Sequence, residues 1–259
     1  MSLSIALPLQ KRGYLISIKN NQLYLSTGSH QDDQSEITKL LNRLEISHAW
    51  KGQYLLVNED SITVEQIKRI QWDPPRNHES HTPMYFGKWK QFVKRMHGPK
   101  INVKTLDPGV AALVKAMSAA GIITANCCEG HGRFYPRVEF AGIQNAIWFE
   151  ILQEKFFAFT DSQLYYDWRV TYEKEFSYIR CEFKAVRHIN EREPWDLSAI
   201  QDDTFKIAQT LHAHAEEIIT LKKQVFGNDS IKTNKRLVSS MSVTELRDFM
   251  VEQFMLKGK

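Results

Sequence analysis

Residues 13–27 alternate with a period of two. Tyr14, Ile16 and Ile18 mark one arm, Leu23 and Leu25 the other. Lys19-Asn20-Asn21-Gln22 between them has turn composition, so the pattern predicts a β-hairpin. After a polar stretch, Ile37, Leu40, Leu41 and Leu44 recur at helical spacing and predict an amphipathic helix over 34–45. Residues 47–57 return to a strand pattern ending in Tyr54-Leu55-Leu56-Val57. Thr63-Val64-Glu65-Gln66 has the form of a capping box, opening a short helix with Ile67 and Ile70 inward. These elements make a small ββαβα unit within residues 1–75. Asp73-Pro74-Pro75 ends it, because a residue before proline avoids helical backbone.

Residues 76–104 form a basic and aromatic connecting segment. Trp89, Phe92, Val93 and Met96 share one helical face, with Lys88, Lys90 and Lys94 away from it. Two readings stand: a short docked helix with solvated lysines, or a phosphate-binding element with aromatic platforms.

Residues 105–227 read as a larger α+β domain. Asp107 suits an N-cap, Pro108 the first helical position and Gly121 the position after the helix, with Val110, Leu113, Val114 and Met117 as the apolar stripe. A short buried strand at Ile122–Ala125, a polar loop at 126–133 and a strand at 135–140 follow. A helix over 144–158 and two long strands, joined at Glu173-Lys174-Glu175, complete a layered antiparallel or mixed sheet with helices. One long helix spans 197–226. The last part, 228–259, is a polar linker and an amphipathic helix over 242–256, which docks on this chain or on a partner protein.

Composition changes this picture little. Of the 259 residues, 42% are apolar and 25% charged, as in a soluble globular protein. The net charge of +4 permits an anionic ligand. Three cysteines, two of them adjacent, do not make a disulfide framework and fit a reducing cytosol. No uncharged apolar run approaches the ~18 residues of a membrane span, and the first residues lack signal-peptide form. A cytoplasmic protein without membrane contact is expected.

The chemistry concentrates in Asn126-Cys127-Cys128-Glu129-Gly130-His131-Gly132-Arg133. Zinc would accept Cys128 and His131, but adjacent strand cysteines face opposite ways and further donors, such as His97 or His188, are distant in sequence. No metal is therefore assigned. A nucleophilic Cys128 with His131 and Glu129 is a second reading, provided the thiol is activated. A third is a ligand cradle. Gly130 and Gly132 allow close backbone approach, and Asn126, Arg133 and Arg137 read an anion, the two arginines as a fork. Lys88, Lys90 and Lys94 would extend that surface. Cys128, Glu129 and His131 are thus the catalytic candidates, and the anion is expected to be a nucleotide or nucleic acid.

Asp107-Pro108-Gly109-Val110 with Leu113-Val114, then Gly121-Ile122 and Thr124, then Cys128-Glu129-Gly130-His131, resembles uncharacterised bacterial proteins that read Ser-Cys-Glu-Gly-His. Over the same stretch, 104–140, the chain is distantly similar to the wybutosine-synthesis tRNA methyltransferase family. Asn126-Cys127 stands where that family has Ser-Ser, and Glu129-Gly130-His131 where it has Ser-Gly-Arg. The resemblance implies an α+β layout with an RNA-linked ligand loop here; that family's cofactor would be S-adenosylmethionine, but the loop departs from its motif and the cofactor is left unassigned. The competing readings are a non-catalytic binding module and a thiol-dependent hydrolase or transferase acting on a small molecule.

Overall fold

A computed structural model describes residues 5–73, 88–157, 164–175, 178–187, 193–227 and 230–258. The boundary at Pro74-Pro75, the residues His78, His81, Tyr85 and Phe86, and His188 lie outside the described residues.

The first unit runs α1 (Ala6–Lys11), β1 (Ile16–Lys19), β2 (Gln22–Leu25), α2 (Asp33–Arg43), β3 (His48–Lys51), β4 (Tyr54–Val57), α3 (Val64–Trp72). The hairpin β1–β2 forms as the alternation requires, with Asn20 and Asn21 both left-handed in its two-residue turn. Ile18, next to that turn, is 63% exposed. The strand expected over 47–57 is a second hairpin, reversed at Gly52, whose φ of +61° a glycine adopts without steric cost. The Thr63–Gln66 capping box closes with both of its hydrogen bonds. Helix α1 was not predicted, since six residues carry too little periodicity. The four strands form one antiparallel sheet in the order β1-β2-β4-β3.

Helix α4 (Trp89–Lys94) buries Trp89, Phe92 and Val93 in the main core, so this part of the connecting segment is integral to the fold. The second unit follows: α5 (Pro108–Ala119), β5 (Thr124–Cys128), β6 (Arg137–Phe140), α6 (Ile143–Leu152), β7 (Asp167–Glu175), β8 (Tyr178–Val186), α7 (Leu197–Ala213). Its sheet is also antiparallel, in the order β5-β6-β8-β7. Both units therefore share one order of elements, α-β-β-α-β-β-α, and one strand arrangement.

Three expectations shift in the second half. Strand β7 continues through Glu173-Lys174-Glu175, since Glu175 pairs with Tyr178, so these residues are ladder and not turn. The long helix breaks at His214 into α7 and α8 (Ala215–Phe226), with no glycine or proline to announce it. The ring of His214 bonds Glu217 at 3.1 Å, on the next helix, which gives the break a local partner. The polar linker is instead helix α9 (Ser230–Ser240). Helix α10 (Val243–Lys257) turns Leu246 and Met250 into this chain's own core, and Phe249 meets Trp89 edge-on.

The two units are clasped. Lys115 on α5 meets Asp33 on α2 at 2.9 Å, both almost wholly buried, and Lys115 also donates to the Ile101 carbonyl at 2.6 Å. Burial holds the Lys115 ammonium below its ordinary pKa, against the pull of Asp33. Gly13 touches α5 so closely that a Cβ there would sit 2.9 Å from the Ala111 backbone. Among the described residues, no helix is long and apolar enough to cross a membrane.

Candidate functional site

Helix α5 is buried along nearly its whole length, from Pro108 to Ser118. A helix buried on every side has its place set by packing. Two side chains of α7 fix its first turn: Gln201 donates to the Pro108 carbonyl at 3.1 Å and Thr204 to the Gly109 carbonyl at 2.6 Å. Its amino end faces the loop between β5 and β6.

Asp107 occupies the N-cap place but makes no capping bond with its own helix. Its carboxylate instead accepts the Glu129 backbone N–H at 3.1 Å, and the Glu129 carboxylate accepts the Gly109 N–H at 2.7 Å. Each segment caps the other across the gap. The exchange satisfies one of the four N–H groups that a helix start leaves open, and puts negative charge at the positive end of its dipole. Gly109 permits the approach, since a Cβ there would lie 2.9 Å from the Glu129 carboxylate.

The expected loop starts later than its composition suggests. Asn126, Cys127 and Cys128 belong to β5, paired with Glu139, Val138 and Arg137 of β6. Period two sends Cys127 to the main core and Cys128 to the other face, as expected of adjacent strand residues. Three left-handed residues then follow in a row: Gly130 at φ +80°, His131 at +49° and Gly132 at +72°. For His131 that conformation costs roughly 1 kcal/mol. It carries the imidazole back over the helix start, with Nε2 3.7 Å from Asp107 Oδ2 and Nδ1 3.6 Å from Glu129 Oε1.

Three donors now converge. One ligand atom each from Asp107, Cys128 and His131 lies within 4.8 Å of the other two. The third donor is Asp107, not His97. Sequence reasoning placed Asp107 correctly at the helix start and took it for a cap. The signal that it had another use was the rigid Pro108-Gly109 after it, which leaves backbone N–H groups for an outside acceptor.

Burial and the nearby Asp107 charge push the Cys127 thiol up to about 12. Cys128 is raised as well, first by burial, with the Asp107 and Glu129 charges adding to it. The Gly130 N–H, which donates to its sulfur at 3.3 Å, and Arg137 pull the other way. Neither thiol has the depressed pKa that nucleophilic catalysis needs.

The expected arginine fork is not assembled. Arg137 is held in the sheet, its Nε 3.2 Å from the wholly buried Glu182, while Arg133 is exposed on the loop. Asn126 turns its side chain back to its neighbour, accepting the Cys127 N–H at 2.8 Å. The Gly132 carbonyl accepts the Trp195 backbone N–H at 3.0 Å, and Arg187 covers the Trp195 ring at 3.9 Å. Phe134 projects into solvent, 64% exposed. Lys88, Lys90 and Lys94 line a separate groove that no loop residue lines. From α4 the chain returns to the far end of α5, where Gly98 donates to Ser118, and a 12-residue helix is ~18 Å long.

Compared with known protein families, curated proteins and solved structures, the chain matches none.

Proposed function

We propose that the start of α5 and the 126–137 loop form a mononuclear divalent-metal centre, most simply zinc. In this reading it does chemistry on an anionic substrate of the nucleotide or nucleic-acid class. The convergence of Asp107, Cys128 and His131 carries the proposal. Zinc takes carboxylate, thiolate and imidazole donors at ~2.0–2.3 Å, which places tetrahedral donors ~3.3–3.7 Å apart. Side-chain adjustments of about 1 Å close the present set to that size. A structural zinc would want a fourth protein ligand and enclosure. Here three donors meet beneath an imidazole whose side chain is 54% exposed, the pattern of a site with an open position.

The remaining groups take supporting roles. Glu129 lies against Nδ1 of His131 and thereby leaves Nε2 facing Asp107, the orientation a carboxylate gives to a ligating histidine. The Gly130 N–H donates to the Cys128 sulfur and favours its thiolate form. A bound metal supplies a lowered-pKa water or a polarised oxygen. Exposed Arg133 and Phe134 offer the substrate a cation and an aromatic face. RNA as the substrate fits the local resemblance of 104–140.

Elemental analysis of protein purified without chelator tests this. About one zinc per chain is expected, with loss of most of it in Cys128→Ser and Asp107→Asn while circular dichroism stays unchanged. Cobalt in place of zinc should add a thiolate charge-transfer band that Cys128→Ser removes. A folded wild-type protein that takes up neither metal would sink the proposal.

A further inference from the structure

A groove of about 1060 Å³ lies between α4, the amino end of α6, α9 and the start of α10. Lys88, Lys90, Lys94, Arg95 and Lys235 line it, and among the described residues no acidic one does. Among the described residues, no carboxylate lies within ion-pair distance of these four lysines. Like charges gathered around one hollow repel one another, and an anion there offsets that repulsion.

Independent features point the same way. Helix α6 begins at Gly142, which has no side chain to cap it, and its first two residues, Ile143 and Gln144, line the groove, so the positive end of its dipole lies at the groove wall. Gln144 is 8% exposed and Trp89 4%, yet the Gln144 side-chain oxygen and the Trp89 indole nitrogen have no hydrogen-bond partner. Buried polar atoms are rarely left so, and both residues line this groove. The Gln144 amide serves as donor when turned over.

We propose that this groove binds phosphate groups, as a site separate from the loop centre. Lysines supply the charge, and the start of α6 with the unpartnered polar groups of Gln144 and Trp89 supplies hydrogen-bonding capacity at the groove wall. Trp89 is buried and offers no face for stacking, so the recognition is of phosphate and not of bases. The shared chemistry fits a nucleic-acid backbone or a free phosphorylated compound.

The experiment measures binding of a labelled 12-nucleotide RNA by fluorescence anisotropy with chelator present. Metal at the loop then plays no part, and failure here is distinct from failure of the metal reading. The four lysines sit on or near the surface, and Lys90→Gln with Lys94→Gln should fold normally. That pair should weaken binding at least ~10-fold at low salt and lower the log–log salt slope by about 1.4, since each single-strand phosphate contact contributes ~0.7. Trp89→Phe keeps the packed ring, removes the N–H, and should weaken binding with melting little changed. Saturable displacement of the RNA by millimolar pyrophosphate assigns the site to small phosphates. RNA binding that pyrophosphate does not displace assigns it to a strand. Absence of binding by both, equal binding by the lysine variant, or equal binding of polyglutamate would overturn the proposal.

Discussion

The two four-stranded sheets have the same strand order, the same directions and the same flanking helices, and differ in the length of their last two strands and in one turn. In the first unit, β1 and β2 are joined by Asn20-Asn21, two left-handed residues that reverse the chain in the least space. In the second, β5 and β6 are joined through residues 129–136, which hold three left-handed residues and reach the start of α5. The short turn closes a ladder. The long one brings Cys128, Glu129 and His131 to Asp107. The lesson is that the arrangement of strands does not make the site; an extension at one hairpin does, because loops tolerate length and the sheet beneath supplies rigidity.

The clasp between the units gives the largest effect. Asp33→Ala would leave the Lys115 ammonium buried without its counter-charge, a loss of about 3–5 kcal/mol in denaturant unfolding. Metal content per folded molecule should stay unchanged if the first unit only braces the second. A loss below about 1 kcal/mol would mean that packing alone joins them.

The equivalent turns can be set against each other directly. Gly130→Ala places a Cβ at φ +80° and 3.2 Å from the Tyr135 backbone. It should cost about 1–2 kcal/mol by thermal melting and lower zinc affinity at least tenfold. Asn21→Gly, at the matching turn, should stabilise by ~0.5 kcal/mol and leave metal content alone, since Asn-Gly suits a two-residue left-handed turn. Effects of the same sign on both would break the comparison.

The far end of α5 has a pH-dependent anchor. Lys222 donates to the Gly121 carbonyl at 2.7 Å and lies over the Phe92 ring, and burial lowers its ammonium to about 7. The unfolded chain holds that proton up to about 10.4, so between these values it binds more protons than the native state. Stability should therefore rise with pH from about 7 to 10.4, by up to ~1.4 kcal/mol per pH unit from this group. Lys222→Met should remove that part of the slope, read from urea midpoints across the range. An unchanged slope would show that Lys222 stays charged in the fold.

Much of the fold was legible along the chain. Period-two alternation placed Val138 and Phe140 inward and separated Cys127 from Cys128, because strand geometry alone sends neighbours to opposite faces. The capping box at Thr63 and Gly121 after α5 were readable for the same local reason. The break at His214 and helix α9 were not. The break carries no glycine or proline, and α9 is polar overall, with Val238 its buried apolar side chain among the described residues.

The sequence by itself determined which loop gathers the candidate groups: Cys128, Glu129 and His131 sit within four residues, and Gly130 and Gly132 mark the left-handed backbone around them. Only the tertiary structure decided what that loop meets. Asp107 is 21 residues from Cys128 along the chain, and a helix buried on all sides brings its start to the sheet. Lys88, Lys90 and Lys94 lie apart from that loop, in a groove of their own. Local rules of spacing and alternation reach a few residues; convergence of distant charges depends on how buried helices pack.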